Sequence, residues 1–519
     1  VRAALGAGRT RLARQLLTES LLLGLAGGGL GVLAAVWGVS GLGRLLPAAA
    51  ASLVELRVNG SVLAFTAALS LASAVLFGLA PALRAAGSDP QAALHESSRT
   101  LGPGRRGRRR GEALVVAEVA LALTLLVGAG LLLRSFQQLQ SVDAGFRPGG
   151  VLSLEVSLSP SRYGDGPAQA RYFTDAVERL RRLPGVRAAG AVSVLPLSAP
   201  VIGGAGRSIS TRGMATSFLV EGQPEPPRAD WPTADVRAVT PGYFEALGIP
   251  LRRGRFLDER DGPRPAGEDP RRGGSGRIVV SEALARRAWP GADPIGQHLL
   301  VNMAGLTRGE VVGVVGDVRL ASLDTEPRAS IYWPATQLPG ASMALVARTD
   351  GDPASLALTA RAEIAALDPE QPIARLRPLD EVVAASLDQP RLGAGLLGLF
   401  AAVGVLLAAL GIYGLLADRV AARRREFGVR MALGADRQRI TLGVVRQGLK
   451  LTLLGTALGL VGGAALGRVM ARLLFRLPPL DPWTFATVPL VLLGAAALAS
   501  YLPARRAARM DPIAALRAE

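Results

Sequence analysis

ALVVAEVALALTLLVGAGLLL, residues 113–133, decides what kind of molecule this chain is. One charge, Glu118, interrupts it. Crossing a hydrocarbon core about 30 Å thick takes about 20 apolar residues, because an α-helix rises about 1.5 Å per residue. Five further stretches have the same character: Ser20–Leu42, Ser61–Leu83, Leu392–Ala417, Leu449–Gly467 and Thr484–Leu502. Soluble proteins also bury long helices, but six nearly charge-free runs in one chain read as membrane spans. Glu118 lies a turn or two inside one end of its helix, which suggests a side chain snorkelling to the interface.

The rest of the composition agrees. The chain has 519 residues, 49% of them hydrophobic, and a net charge of +18. Its basic residues are arginines with one exception, Lys450. Where those arginines lie gives the orientation, since cytoplasmic loops collect positive charge. Arg84, Arg99, Arg105, Arg106 and Arg108 to Arg110 stand between the second and third spans; Arg419, Arg423 to Arg425, Arg430, Arg437, Arg439 and Arg446 follow the fourth. Threading six spans alternately puts these loops, the N-terminal arginines and the tail with Arg505, Arg506, Arg509 and Arg517 on one side. The charge is thus a positive-inside signal at a lipid membrane, with no nucleic-acid partner expected. Arg468, Arg472 and Arg476 dissent, and their spacing suggests a helical extension of the fifth span. The absence of cysteine excludes disulfides and thiolate metal sites. Val1 in place of a methionine, followed by Arg2, Arg9, Arg11 and Arg14 at helical spacing, reads as the start of a fragment and not as a signal peptide.

The threading leaves residues 136–390 outside as one large α+β domain. Helical patterns at Ala168–Arg182 and Ser281–Trp289 mix there with β-rich runs at Val151–Leu158, Ile278–Val280 and Val311–Val315. Asp258, Glu259 and Asp261 stand in a Pro- and Arg-rich loop, where a solvated surface is expected.

The two ends of the chain repeat each other. VRAALGAGR at 1–9 returns as VRMALGADR at 429–437, seven of nine residues identical. Gly27 and Gly31 in the following helix match Gly455 and Gly459, a spacing of four that sets each pair on one face as a close-packing seam. PALRAAGSDPQAAL at 81–94 then matches PARRAARMDPIAAL at 503–516. Chance similarity of Ala/Leu-rich helices does not place Asp-Pro at one distance after Pro-Ala twice. The second unit reads as helix, outer domain and three helices, and the first as only its last two helices.

One helix, a large outer domain, three helices and the tail ARRAARMDPIAALR resemble the MacB/FtsX-type family of ABC permeases, in the duplicated, double-length form of the acidobacterial type. VTPGYFEALGI at 239–249 and VSEALARRAWP at 280–290 look like parts of a MacB-type periplasmic core. The resemblance implies a bacterial inner-membrane, α-helical protein of six spans in this fragment with an α+β domain of MacB periplasmic-core type. It divides the chain into a coupling-like helix (1–16), two C-terminal spans of a first FtsX-like unit (17–97), a basic linker (98–112), a span (113–135), the periplasmic domain (136–390) and an FtsX-like domain (391–519) with its coupling segment at 418–446.

The resemblance also implies a mechanism. Relatives of this type receive motion from a separate ABC ATPase, so Arg423, Arg424, Arg425, Glu426, Gly428, Arg430, Leu433 and Gly434, with Arg2, Leu5 and Gly6 in the first copy, are the expected ATPase-coupling residues. No phosphate-cradling glycine loop with Lys-Ser or Lys-Thr is present, and no nucleophile or His-Glu-x-x-His spacing appears. The chain is therefore expected to be no enzyme and to bind no cofactor or metal, with ATP used by its partner and a periplasmic adaptor as a further candidate partner. Two functions remain open: efflux or extraction of an amphipathic substrate, and transmission of force to a periplasmic enzyme or ligand sensor without transport.

Overall fold

The computed structural model describes residues 9–45, 59–87, 105–198, 202–203, 207–208, 214–262, 276–303, 305–432 and 436–508. Contacts divide the chain into two compact units, Val1–Phe136 with Pro390–Glu519, and Gln137–Gln389. Helices α1 (Arg9–Leu45), α2 (Gly60–Gly87) and α3 (Arg105–Gln140) come first.

The second unit follows. Strands β1 (Val151–Ser157), β2 (Val186–Val192), β3 (Ile202–Gly203), β4 (Arg207–Ser208), β5 (Met214–Val220) and β6 (Thr233–Val239) are interrupted by α4 (Gly166–Arg181). Then come α5 (Tyr243–Leu247), β7 (Leu251–Gly254), β8 (Gly276–Ser281), α6 (Glu282–Ala288), β9 (His298–Asn302), β10 (Leu306–Val315), β11 (Ser330–Pro334) and β12 (Ser342–Thr349). Helix α7 (Pro353–Ala365), β13 (Ile373–Pro378) and α8 (Leu379–Ser386) complete it.

Two cores hold this unit. Strands β6, β5, β9, β10, β8 and β11 pair in succession, and β11 pairs back onto β6 in parallel, so six strands close on themselves. Phe218, Ile278, Val280, Leu299, Val311 and Trp333 fill that ring together with Leu284 of α6. Strands β2, β12, β1 and β13 form an antiparallel sheet. Helices α4 and α7 cover it with Phe173, Val177, Leu180, Ala360 and Ile364. Each starts on an aspartate, Asp165 or Asp352, whose side chain accepts a backbone N–H of the first turn and replaces a helical bond the terminus lacks. Gly190 lets α5 lie against β2: a Cβ there would be 2.5 Å from the Tyr243 backbone nitrogen.

Asp261 corrects the solvated-loop expectation. Its side chain is buried and takes both Arg255 guanidinium nitrogens at 2.6 and 2.7 Å, with Arg277 at 3.3 Å. The arginines offset the cost of burying a carboxylate. Asp258 does stay partly exposed, paired with Arg260 at 2.6 Å.

The chain returns to the first unit with α9 (Asp388–Ala422), α10 (Arg424–Ala432), α11 (Arg437–Val469) and α12 (Pro482–Ala508). Among the described residues, five helical stretches are long and apolar enough to cross a membrane, and a shorter apolar one, Gly60–Val75, lies in α2. Every stretch expected as a span falls within one of these helices. Val115, Val119, Leu123, Val127 and Leu131 recur along α3 at helical spacing and pack with Ile412 and Leu416 of α9 and Leu492 and Ala496 of α12.

Two expectations fail in this unit. The arginine extension of the fifth span does not form: α11 ends at Val469, Arg472 sits in a 3-10 turn, and Arg476 has φ +49°. Pro478 and Pro479 follow, and the residue before a proline is pushed out of helical geometry. Nor does Glu118 snorkel. Its Oε2 is buried without a hydrogen-bond partner and lies where a side chain at Gly411 of α9 would begin.

Candidate functional site: the basic turn between α9 and α11

Helix α10 follows α9 after a single residue, Arg423, and lies on the basic stretch. Its own apolar residues fix its rotation. Phe427 is buried in the core of the helical unit and Met431, one turn on, packs against the same core. Residues four apart share a helix face. The other face shows Glu426, Val429 and Arg430, all exposed. Arg430 donates to Glu426 at 2.5 Å, and Arg423 lies 3.8 Å from the same carboxylate. Such exposed pairs contribute little to stability, so the face presents charge held in place by packing beneath it.

Helix α11 continues the anchoring. Asp436 caps it by accepting from the Gln438 backbone N–H at 3.2 Å, and Ile440 and Val444 are buried in the same core. Below α10, Arg419 of α9 donates to Glu112 of α3, and Arg506 of α12 donates to the Tyr413 hydroxyl at 2.6 Å. The basic turn thus sits on a bundle whose helices are bonded to one another at that end.

Of the sequence candidates, Arg423, Glu426 and Arg430 come together on the exposed face, with Arg424, Arg425 and Gly428 on the same helix. Leu433, Gly434, Arg2, Leu5 and Gly6 lie outside the described residues. Gly455 and Gly459 meet α3: a Cβ would lie 2.6 Å from Val119 at the first and 2.7 Å from Leu123 at the second. Gly27 and Gly31 have nothing within 4 Å among the described residues. Helix α1 meets α2 through Gly24 and Gly28 instead, where a Cβ would be 2.5 Å from Ala74 and 2.9 Å from Ser70.

Two features escaped sequence reading. The α11 seam extends through Gly462 and Gly463 to Thr124 and Val127, which the glycine doublet itself could have signalled. Asp481 caps α12 through the Thr484 N–H at 2.9 Å and also pairs with Arg134 of α3; only the cap was legible, as Asp-Pro before an apolar run. Among the described residues, no group of three His, Asp or Glu side chains is placed to hold a metal ion.

The family model for FtsX-like permease C-terminal regions matches residues 1–90 and 398–512, and that for the MacB-like periplasmic core domain matches 113–367. The chain belongs to the MacB/FtsX-type permease family. The FtsX-like stretches of this family member contain α1 with α2 and α10 with α11, so the two matches fall on the two copies of the repeat. The macrolide export ATP-binding/permease protein MacB of Azoarcus sp. is 28% identical over 53% of this chain and 41% of its own length. The pyoverdine export ATP-binding/permease protein PvdT of Pseudomonas putida is 29% identical over 53% of this chain and 42% of its own length. The chain therefore spans about two fifths of each of these curated relatives. The crystal structure of the periplasmic region of MacB from Actinobacillus actinomycetemcomitans aligns over 48% of this chain and 97% of that one, at 13% identity and a TM-score of 0.30. The MacB/FtsX-type permease is thus a membrane-spanning chain with a large α+β domain of periplasmic-core type outside the membrane.

Proposed function

We propose that the chain is the permease subunit of an ABC transporter in a bacterial inner membrane, and that a separate ATPase drives it through the basic turn at α10. The single observation that carries this reading is the pinned, duplicated turn. Phe427 and Met431 lock α10 to the bundle core while Arg423, Glu426, Val429 and Arg430 stay exposed, and the motif returns at the other end of the chain. A displacement applied to such a helix passes into α9, α11 and α3, because packed cores shift between discrete arrangements and do not deform smoothly. Arg419 bonded to Glu112 gives the displacement a second, polar route into α3, the helix that leads into the periplasmic-core domain.

Extrusion or extraction of an amphipathic substrate fits the apolar groove of about 580 Å3 among α3, α9 and α12, lined by Leu126, Leu133, Phe136 and Val491 with one charge, Arg391. An apolar wall with one guanidinium suits an acyl-like body with a polar or anionic head. ATP is used by the partner, and a periplasmic adaptor is a further partner of the outer domain. The test replaces Leu433 and Gly434 by glutamate and measures ATP turnover by the co-encoded ATPase in proteoliposomes. The stimulation given by the unaltered chain should disappear while the variant still inserts and folds; unchanged stimulation refutes the assignment.

A further inference from the structure

The second copy of the repeat shows what covers a face that the first copy leaves open. In α11, a Cβ at Gly455 would lie 2.9 Å from the Val116 carbonyl oxygen and one at Gly459 2.8 Å from that of Ala120. Backbone meets backbone there, and Thr124 Oγ1 lies 3.3 Å from the Gly459 carbonyl oxygen it bonds across the seam. Helix α3 sets Val119, Leu123 and Val127, one turn apart each, against Gly455, Gly459 and Gly463. Aligning Val1 with Val429 places Gly27, Gly31, Ala34 and Ala35 of α1 at the positions of Gly455, Gly459, Gly462 and Gly463. Small residues thus recur at all four positions. Contact with α2 does not account for them, because α1 meets α2 through Gly24 and Gly28 while Gly27 and Gly31 face open space among the described residues.

We propose that this face of α1 seats one further transmembrane helix, built like α3 but slimmer at one end. Lipid tails make no demand for two glycines one turn apart, whereas a helix approaching to backbone contact does. The visitor presents aliphatic side chains at i and i+4 to Gly27 and Gly31, as Val119 and Leu123 do to their partners. Its next turn differs. A Cβ at Gly462 would lie 2.5 Å from Thr124 Oγ1 and one at Gly463 3.1 Å from Val127, and the first copy carries alanine at both positions. The visitor therefore has smaller residues than threonine and valine there. That same constraint argues against α3 of a second copy as the occupant.

The chain has no cysteine of its own, which makes the test direct. The full chain carrying Gly31→Cys is co-expressed with a tagged helix of residues 105–140 bearing Leu123→Cys. The probe is made in two forms, otherwise unaltered or also with Thr124→Ala and Val127→Ala, and disulfide formation is measured in membranes. The slimmer probe should cross-link about fivefold more than the other, the low end of what relieved overpacking is worth as a ratio. Leu33→Cys, at a position 53% exposed, should give background with both. Equal cross-linking of the two probes, a Leu33→Cys signal matching Gly31→Cys, or a dominant disulfide between two copies of the chain overturns the proposal. As a check that does not depend on cysteine geometry, Gly31→Leu should abolish co-purification of the slimmer probe and Gly494→Leu should not; retention in both overturns it as well.

Discussion

Adding one methyl group at Gly459 should destabilise the helical unit, although alanine is the better helix former. The new carbon would lie 2.7 Å from Leu123 Cβ and 2.8 Å from the Ala120 carbonyl oxygen, where non-bonded carbons settle at about 3.5–4.0 Å. A flexible side chain could swing away, but a helical carbonyl cannot, so α11 and α3 must separate. Overpacking of this kind costs about 1–3 kcal/mol. Gly443, in the same helix, supplies the control because a Cβ there meets nothing within 4 Å. Alanine at either site gains the same propensity, roughly 0.8–1.0 kcal/mol in water, so the difference between the two variants isolates the seam. That difference should be about 1–3 kcal/mol, a factor of about 5–150 in the unfolding equilibrium. The assay is titration of the purified chain from mild detergent into sodium dodecyl sulfate, followed by the loss of helical circular dichroism. Coincident midpoints for Gly459→Ala and Gly443→Ala would refute the seam.

Three more outcomes follow from named contacts. Gly411→Ala should destabilise the bundle because Glu118 Oε2 occupies the space the methyl needs, and the same change in a Glu118→Ala background should cost little in the same titration. Asp481→Ala should cost more than Arg134→Ala, because it removes the cap of α12 as well as the ion pair; caps of this kind are worth about 0.5–2 kcal/mol. In the α+β unit, the side-chain hydrogen bonds from Arg260 hold the Asp258 carboxyl down at about 2. Its stabilisation is thus complete above an unfolded carboxyl value of about 3.9 and fades as pH falls towards 2. Thermal melts of that unit from pH 5 to 2 should show a shallower loss for Asp258→Asn than for the unaltered chain.

The membrane spans were legible because length and apolarity alone define them, and each expected stretch lies inside a helix. The helices run further than the stretches, for example from Arg105 to Gln140 around the run that ends at Leu133, since a formed helix continues through polar residues once its nucleus exists. The glycine spacing was legible too, but not which glycines meet which helix. That depends on what occupies each face, so Gly455 and Gly459 are packed while Gly27 and Gly31 are open. Glu118 read as a snorkelling acid because the text shows its depth and hides the gap at Gly411. Asp261 read as solvated because the groups that enclose it, Arg277 and Gln337, which donates to the Asp261 and Gly262 carbonyls at 3.2 and 2.9 Å, stand far along the chain. In the basic turn the charges could be read directly. Its anchoring by Phe427 and Met431 needed the fold, since two apolar residues among arginines mark no face until the bundle beneath them is known.

The measurement that bears most directly on the central claim is ATP turnover by the co-encoded ATPase, reconstituted with this chain in liposomes and challenged with amphipathic compounds. The account predicts that the chain raises turnover, that amphipathic compounds raise it further, and that Val429→Glu on the exposed face of α10 removes both effects. Turnover that responds to a cell-wall hydrolase and ignores every amphiphile would contradict transport, and turnover indifferent to Val429→Glu would contradict coupling through α10.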